Sequence, residues 1–151
     1  MNKTLLSLCA AAGCLAAVPA QAQFAKPEDA IRYRQSAYVL MGNHMARINT
    51  QLRADKPDLA AIQRSAGIID FASQLPGEAY IPGSQTGGTP PTRARPEIFR
   101  DSQVRELGAR MREEVVKLNA AARGGDLAAI RAQFGETGKS CKACHDKFRR
   151  D

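Results

Sequence analysis

Five residues near the end of this 151-residue chain, Cys141-Lys142-Ala143-Cys144-His145, carry its most chemically specific spacing. On a helix, positions i, i+3 and i+4 share a face, so two thiols and an imidazole point the same way. Two thiols so placed can each bond to a vinyl-derived carbon of a haem, and the imidazole beside them can bind the iron. C-x-x-C-H is accordingly the attachment signature of c-type haem, with Cys141 and Cys144 as tethers and His145 as metal ligand. Two other chemistries use a C-x-x-C. A thioredoxin-like dithiol centre sits near a βαβ pattern, and none surrounds Cys141. A zinc site draws on about four ligands, whereas His44 is far away in sequence and Cys9 and Cys14 lie close to the N-terminus.

The first 22 residues have the layout of an export signal: Lys3 as the positive start, an apolar run from Leu5 to Val18, and the small-x-small site Ala20-Gln21-Ala22. The run is shorter than the ~20 residues that span a bilayer, and no later segment approaches that length. Cys14 does not follow a lipoprotein pattern, because Ala11 rather than Leu stands three residues before it. Cleavage after Ala22 removes Cys9 and Cys14 and leaves residues 23–151 as one domain in the periplasm, where c-type haem is attached. The leader holds one of the 22 basic residues and none of the 15 acidic ones, so the mature chain carries +6. That charge suits an acidic redox partner; export and the lack of a nucleic-acid motif argue against nucleic acid.

Four amphipathic helices must position the motif. The first starts near Pro27, with Glu28 and Asp29 in its first turn, and its stripe is Ala30, Arg34, Ala37, Tyr38, Met41, Met45, Ile48 and Leu52. The second follows an Asp58 cap, with Leu59, Ile62, Ala66, Ile69 and Ser73 on its stripe. Residues 76–96 hold five prolines and four glycines, a long loop that either spans the bundle and covers a haem edge or simply connects. The third helix runs from about Ser102 to Ala122 with Val104, Leu107, Met111, Val115, Leu118 and Ala122 inward; Gly124-Gly125 stops it. The fourth follows Asp126, and its stripe of Leu127, Ile130, Phe134, Gly138, Cys141, Cys144 or His145 and Phe148 puts the motif on a buried face. No β-branched alternation occurs. The expected fold is all-α, an antiparallel up-down-up-down four-helix bundle with covalent haem.

Three segments carry a family resemblance: the opening from Gln23-Phe24-Ala25-Lys26-Pro27 to Ser36-Ala37, then Ala94-Arg95-Pro96-Glu97-Ile98-Phe99, then Ser140-Cys141-Lys142-Ala143-Cys144-His145-Asp146. Together they span the mature chain, which resembles cytochrome c′, the class II c-type cytochromes; Phe99 stands where relatives often have Trp. The resemblance implies a periplasmic protein, often a homodimer through the first two helices, with five-coordinate high-spin iron that binds nitric oxide and carbon monoxide and takes part in electron transfer. It implies a binding protein rather than an enzyme, and no acid/base pair accompanies Tyr38.

By the same resemblance, the residue over the distal face is Tyr38, a lid whose hydroxyl can hydrogen-bond a ligand. Phenolate ligation instead requires loss of a proton whose reference pKa is about 10. Low-spin relatives similar to cytochrome c-556 have a Met there, which makes a six-coordinate electron carrier the alternative. Met41 and Met45 lie on that stripe, where Met is more often core filler; His44 sits on its margin. Arg34, on the buried stripe, suits a haem propionate. Arg149, four residues past His145, falls beside the proximal imidazole; its plainer reading is a charge in a basic tail.

Overall fold

The computed structural model describes residues 23–150 and contains four helices: α1 (Pro27–Leu52), α2 (Leu59–Ser73), α3 (Gln103–Gly124) and α4 (Leu127–Phe148). The proposed leader and Cys9 and Cys14 lie outside the described residues. The starts and stops follow local chemistry. Pro27 occupies the first turn of α1, where its missing N–H costs nothing. The carboxylates of Asp58 and Asp126 accept from Ala61 N (2.9 Å) and Ala128 N (2.8 Å), capping α2 and α4. Gly125 ends α3 at φ +77°, a left-handed conformation that a Cβ would oppose.

Consecutive helices pack on one another, α1 on α2, α2 on α3 and α3 on α4, while backbone contact between α1 and α4 is sparse. This is the expected antiparallel bundle. Met41, Ile48, Leu52, Ile62, Ala66, Ile69, Val115, Leu118, Ala122 and Ile130 form a continuous core, with Met45, Met111 and Phe134 packed against it. In an up-down-up-down bundle, the N-terminal ends of α1 and α3 share an end with the C-terminal end of α4. That end holds Cys141–His145, and most of the core lies away from it.

The periodicity overstated burial at four places. Tyr38, on the α1 stripe, is exposed. Leu59 is exposed, because it is the first residue of α2, where the stripe runs off the packed interface. Val104 and Leu107, on the motif-bearing end of α3, are half-buried. On α4 Cys141 and Cys144 are half-buried and His145 is exposed, so the buried face at that level runs through Thr137, Ser140 and Phe148.

The segment between α2 and α3 is more than a plain connector. It forms two short 3₁₀ turns, Pro76–Ala79 and Pro96–Phe99. It packs along α1, and an antiparallel bridge joins Ala94 to Arg149 just beyond α4. Backbone bonds from Arg95 N to Phe148 O and from Arg150 N to Arg93 O, both 2.8 Å, clamp the loop to the chain's tail.

Candidate haem site

Cys141 and Cys144 are free thiols one helical turn apart on α4. Burial pushes both thiols up from their ordinary range, so both are neutral at pH 7. His145 follows on the same turn. Although the residue as a whole is exposed, desolvation of its ring first, then the positive charge of Arg149, lowers its pKa, which favours the neutral imidazole with a lone pair to give. Among the described residues no three His, Cys, Asp or Glu side chains gather as a metal cluster, so the motif lacks the partners a zinc site would require.

The donor set fits a covalently tethered haem: two half-buried thiols and an imidazole on one stretch of α4, at the end of the bundle away from most of the core. α4 faces α1 there across the loosely packed seam. Tyr38 stands on the α1 side. It keeps 40% of its surface exposed, yet its hydroxyl end is crowded. The phenol oxygen lies 3.2 Å from that of Tyr80, and a negative charge on Cys144 would oppose ionisation of both phenols. Burial, followed by Tyr80, raises the Tyr38 pKa well above the ordinary phenol value. Tyr38 therefore presents a neutral hydroxyl at pH 7.

Arg34 is 2% exposed. Its Nη1 donates to Ala79 O and Ser84 Oγ, both at 2.9 Å, and its Nη2 to Ser84 O (2.5 Å) and Thr92 Oγ1 (3.2 Å). These four bonds use all four terminal N–H donors and leave only Nε–H for any further acceptor. The sequence pointed Arg34 at a propionate; in the fold its fork holds the loop onto α1. The guanidinium also sits 4.9 Å from the centre of the Tyr80 ring and 5.9 Å from that of Phe99. Tyr80 in turn meets Phe99 edge-on, their centres 5.5 Å apart.

Arg149 and His145 line one polar hollow of about 350 Å³, together with Arg93, Arg95, Asp146 and Arg150. Arg93 Nε donates to Arg150 O (3.1 Å) and Arg95 Nε to Arg149 O (3.2 Å), which anchors both guanidinium groups on the tail's carbonyls. Asp146 is held by Lys142 at 2.6 Å. The hollow is thus strongly basic.

His44 is not part of the site: its Nδ1 lies 3.2 Å from Ser65 Oγ, at the α1–α2 contact. Met41 and Met45 belong to the core. Sequence reasoning missed Tyr80, Arg93 and Arg95. One signal was available for Tyr80, the single aromatic among the Pro- and Gly-rich residues 76–96. The arginines carried none, because they meet the tail only through the bridge.

Comparison with known proteins agrees with this geometry. Residues 29–149 match the family described as Cytochrome C′. The chain is 43% identical over 130 residues to the cytochrome c′ of Alcaligenes xylosoxydans xylosoxydans, covering 85% of this chain and 98% of the relative. It is 40% identical over 129 residues to that of Rubrivivax gelatinosus, covering 84% and 98%. Among solved structures, the cytochrome c′ of Shewanella frigidimarina superposes with a TM-score of 0.78 at 33% identity, covering 85% of this chain and 99% of that one. A variant of the Alcaligenes xylosoxidans protein solved in the ferrous state with nitric oxide bound gives 0.77 at 41% identity, covering 85% and 99%.

Proposed function

The chain belongs to the cytochrome c′ family, whose members carry covalently bound haem c, and from that premise we propose that it is a periplasmic haem protein with five-coordinate high-spin iron. It binds nitric oxide and carbon monoxide and exchanges electrons, and it turns over no substrate. Cys141 and Cys144 hold the haem and His145 ligates its iron. When bound, the haem supplies a redox-active metal that can accept a diatomic ligand.

The observation that carries this reading is the residue opposite the motif. Tyr38, on α1 and near enough to Cys144 for a charge there to oppose its ionisation, offers a hydroxyl rather than a thioether. The two methionines of α1 that could saturate the iron are instead packed with Ile48, Leu52 and Ile62, which disfavours a six-coordinate carrier of the c-556 type. Nitric oxide- and carbon monoxide-bound structures of variants of the Alcaligenes xylosoxidans relative add support. The test is addition of carbon monoxide to the ferrous protein. Rapid formation of a carbonyl spectrum at micromolar gas is expected; a spectrum that does not change refutes the reading.

The basic hollow favours electron exchange with an acidic partner. Four arginines flank the proposed proximal ligand, and charge of one sign beside a redox centre steers an opposite surface toward it. Electron transfer from an acidic donor should therefore slow as salt rises, and Arg93→Gln with Arg95→Gln should flatten that dependence. A rate indifferent to both contradicts this role. Homodimerisation through α1 and α2 is also proposed. Exposed Val39 and Leu40 on α1, and Phe71 on α2, supply apolar surface there.

A further inference from the structure

Tyr80 belongs to a loop that nothing in the C-x-x-C-H motif calls for, yet it touches the residue opposite that motif. Three observations bear on it. Its hydroxyl lies 3.2 Å from that of Tyr38. Its ring is held between Phe99, edge-on, and the Arg34 guanidinium, 4.9 Å from its centre. Arg34 is itself locked by four hydrogen bonds to Ala79, Ser84 and Thr92. The Tyr80 ring therefore has little freedom, and its hydroxyl sits at a fixed place beside Tyr38.

Counting protons leads further. Two phenols hold two O–H groups, and one mutual hydrogen bond consumes one of them. The other is free to donate elsewhere. Either hydroxyl can be the donor in that bond, so a third partner decides the direction. An acceptor beside Tyr38 takes the Tyr38 proton, and Tyr38 then accepts from Tyr80, whose ring Arg34 and Phe99 hold in place. A hydroxyl that accepts one hydrogen bond is polarised and becomes a stronger donor in turn.

We propose that Tyr38 and Tyr80 form one distal hydrogen-bonding unit, in which Tyr80 donates to Tyr38 and Tyr38 offers its own proton to a small uncharged diatomic ligand held on the iron. Tyr80 is a positioning residue: it acts on the ligand through Tyr38 and sets the direction of the Tyr38 hydroxyl. The inference rests on the open-iron reading above and adds what recognises the ligand once it is there. The loop from Pro76 to Phe99 gains a role, which is to bring a second phenol against Tyr38.

The test uses the haem-loaded protein and the variants Y38F, Y80F and Y38F/Y80F. Loss of one neutral hydrogen bond should speed carbon monoxide dissociation from Y38F about 2- to 10-fold and raise the C–O stretching frequency. Y80F should move both readouts in the same direction by a smaller amount, and the double variant should match Y38F alone. A Y80F protein identical to the parent, or a Y80F effect that persists undiminished on the Y38F background, overturns the proposal. Phe at position 80 keeps the ring between Arg34 and Phe99, and a thermal melt of each variant verifies the fold. A second readout needs no gas. Tyrosinate absorption of the ligand-free protein should show the Tyr38 phenol of Y80F titrating at lower pH than in the parent, since Tyr80 helps raise it. An unchanged titration overturns the phenol pair even if carbon monoxide binds. Failure to bind carbon monoxide overturns the open-iron reading and with it the ligand contact.

Discussion

Replacing Arg34 with Met should unlatch the loop from α1. Methionine keeps much of the apolar stem and removes the fork. Of the four acceptors the fork serves, two have other partners: Ser84 Oγ also donates to Ile81 O, and Thr92 Oγ1 also accepts from Ala94 N. The carbonyls of Ala79 and Ser84 then lose their hydrogen bonds in a place where Ala79 and Ser84 are fully buried. An orphaned buried acceptor costs about 1–3 kcal/mol, so the pair costs roughly 2–6 kcal/mol. At the middle of that range the melting temperature should fall by roughly 15 °C for a domain of this size. Circular dichroism of the haem-loaded protein measures the fall, and limited proteolysis should show new cleavage between residues 80 and 95. Arg34→Lys should lie between parent and Met, because three donors on one nitrogen cannot reach four acceptors in this arrangement. A melting point within about 3 °C of the parent, with the loop still resistant to protease, refutes the latch. A changed reduction potential with an intact loop would return Arg34 to a propionate.

Three further outcomes follow from the same structure. All three tyrosines of the chain have raised pKa values, Tyr38 and Tyr80 chiefly by burial and Tyr33 by its hydrogen bond to Glu78. Folding thus favours the neutral phenols, so their stabilisation is full below about pH 10 and is lost as pH climbs through the raised values. Ultraviolet titration should find little tyrosinate at pH 10 in the folded protein and a normal transition in denaturant. Replacement of Cys141 and Cys144 by Ala should abolish haem staining on a denaturing gel; a band that still stains contradicts the tethers. Val39→Glu, on the outer face of α1, should shift sedimentation toward monomer while leaving the melting profile of the isolated bundle unaltered, and an unchanged sedimentation coefficient counts against an interface there.

The helices were legible because each one carries its own instructions. Asp58 and Asp126 announce their caps, Pro27 its first turn and Gly125 its stop, and steps of three and four residues mark the stripes. The motif was legible for the same reason, since Cys141, Cys144 and His145 are neighbours in sequence. Tyr38 was reached by family alignment alone, as nothing local distinguishes it from core. What stayed hidden depends on long-range contact. Arg34 reads as a buried charge in want of an anion, and only the fold reveals carbonyls from the loop in that place. Tyr80 is brought to Tyr38 by a 3₁₀ turn that no periodicity encodes. The half-buried state of Val104 and Leu107 was hidden too, because a stripe reports the inward face of a helix but not where along the bundle the packing is dense.

The account rests on an iron with one protein ligand, and the ligand-free protein tests it most directly. Resonance Raman spectra of the ferric and ferrous forms at neutral pH should carry the spin- and coordination-marker bands of five-coordinate high-spin haem in both states, and Met41→Leu and Met45→Leu should leave them unchanged. Low-spin six-coordinate bands in both states, lost on replacement of either methionine, would contradict it.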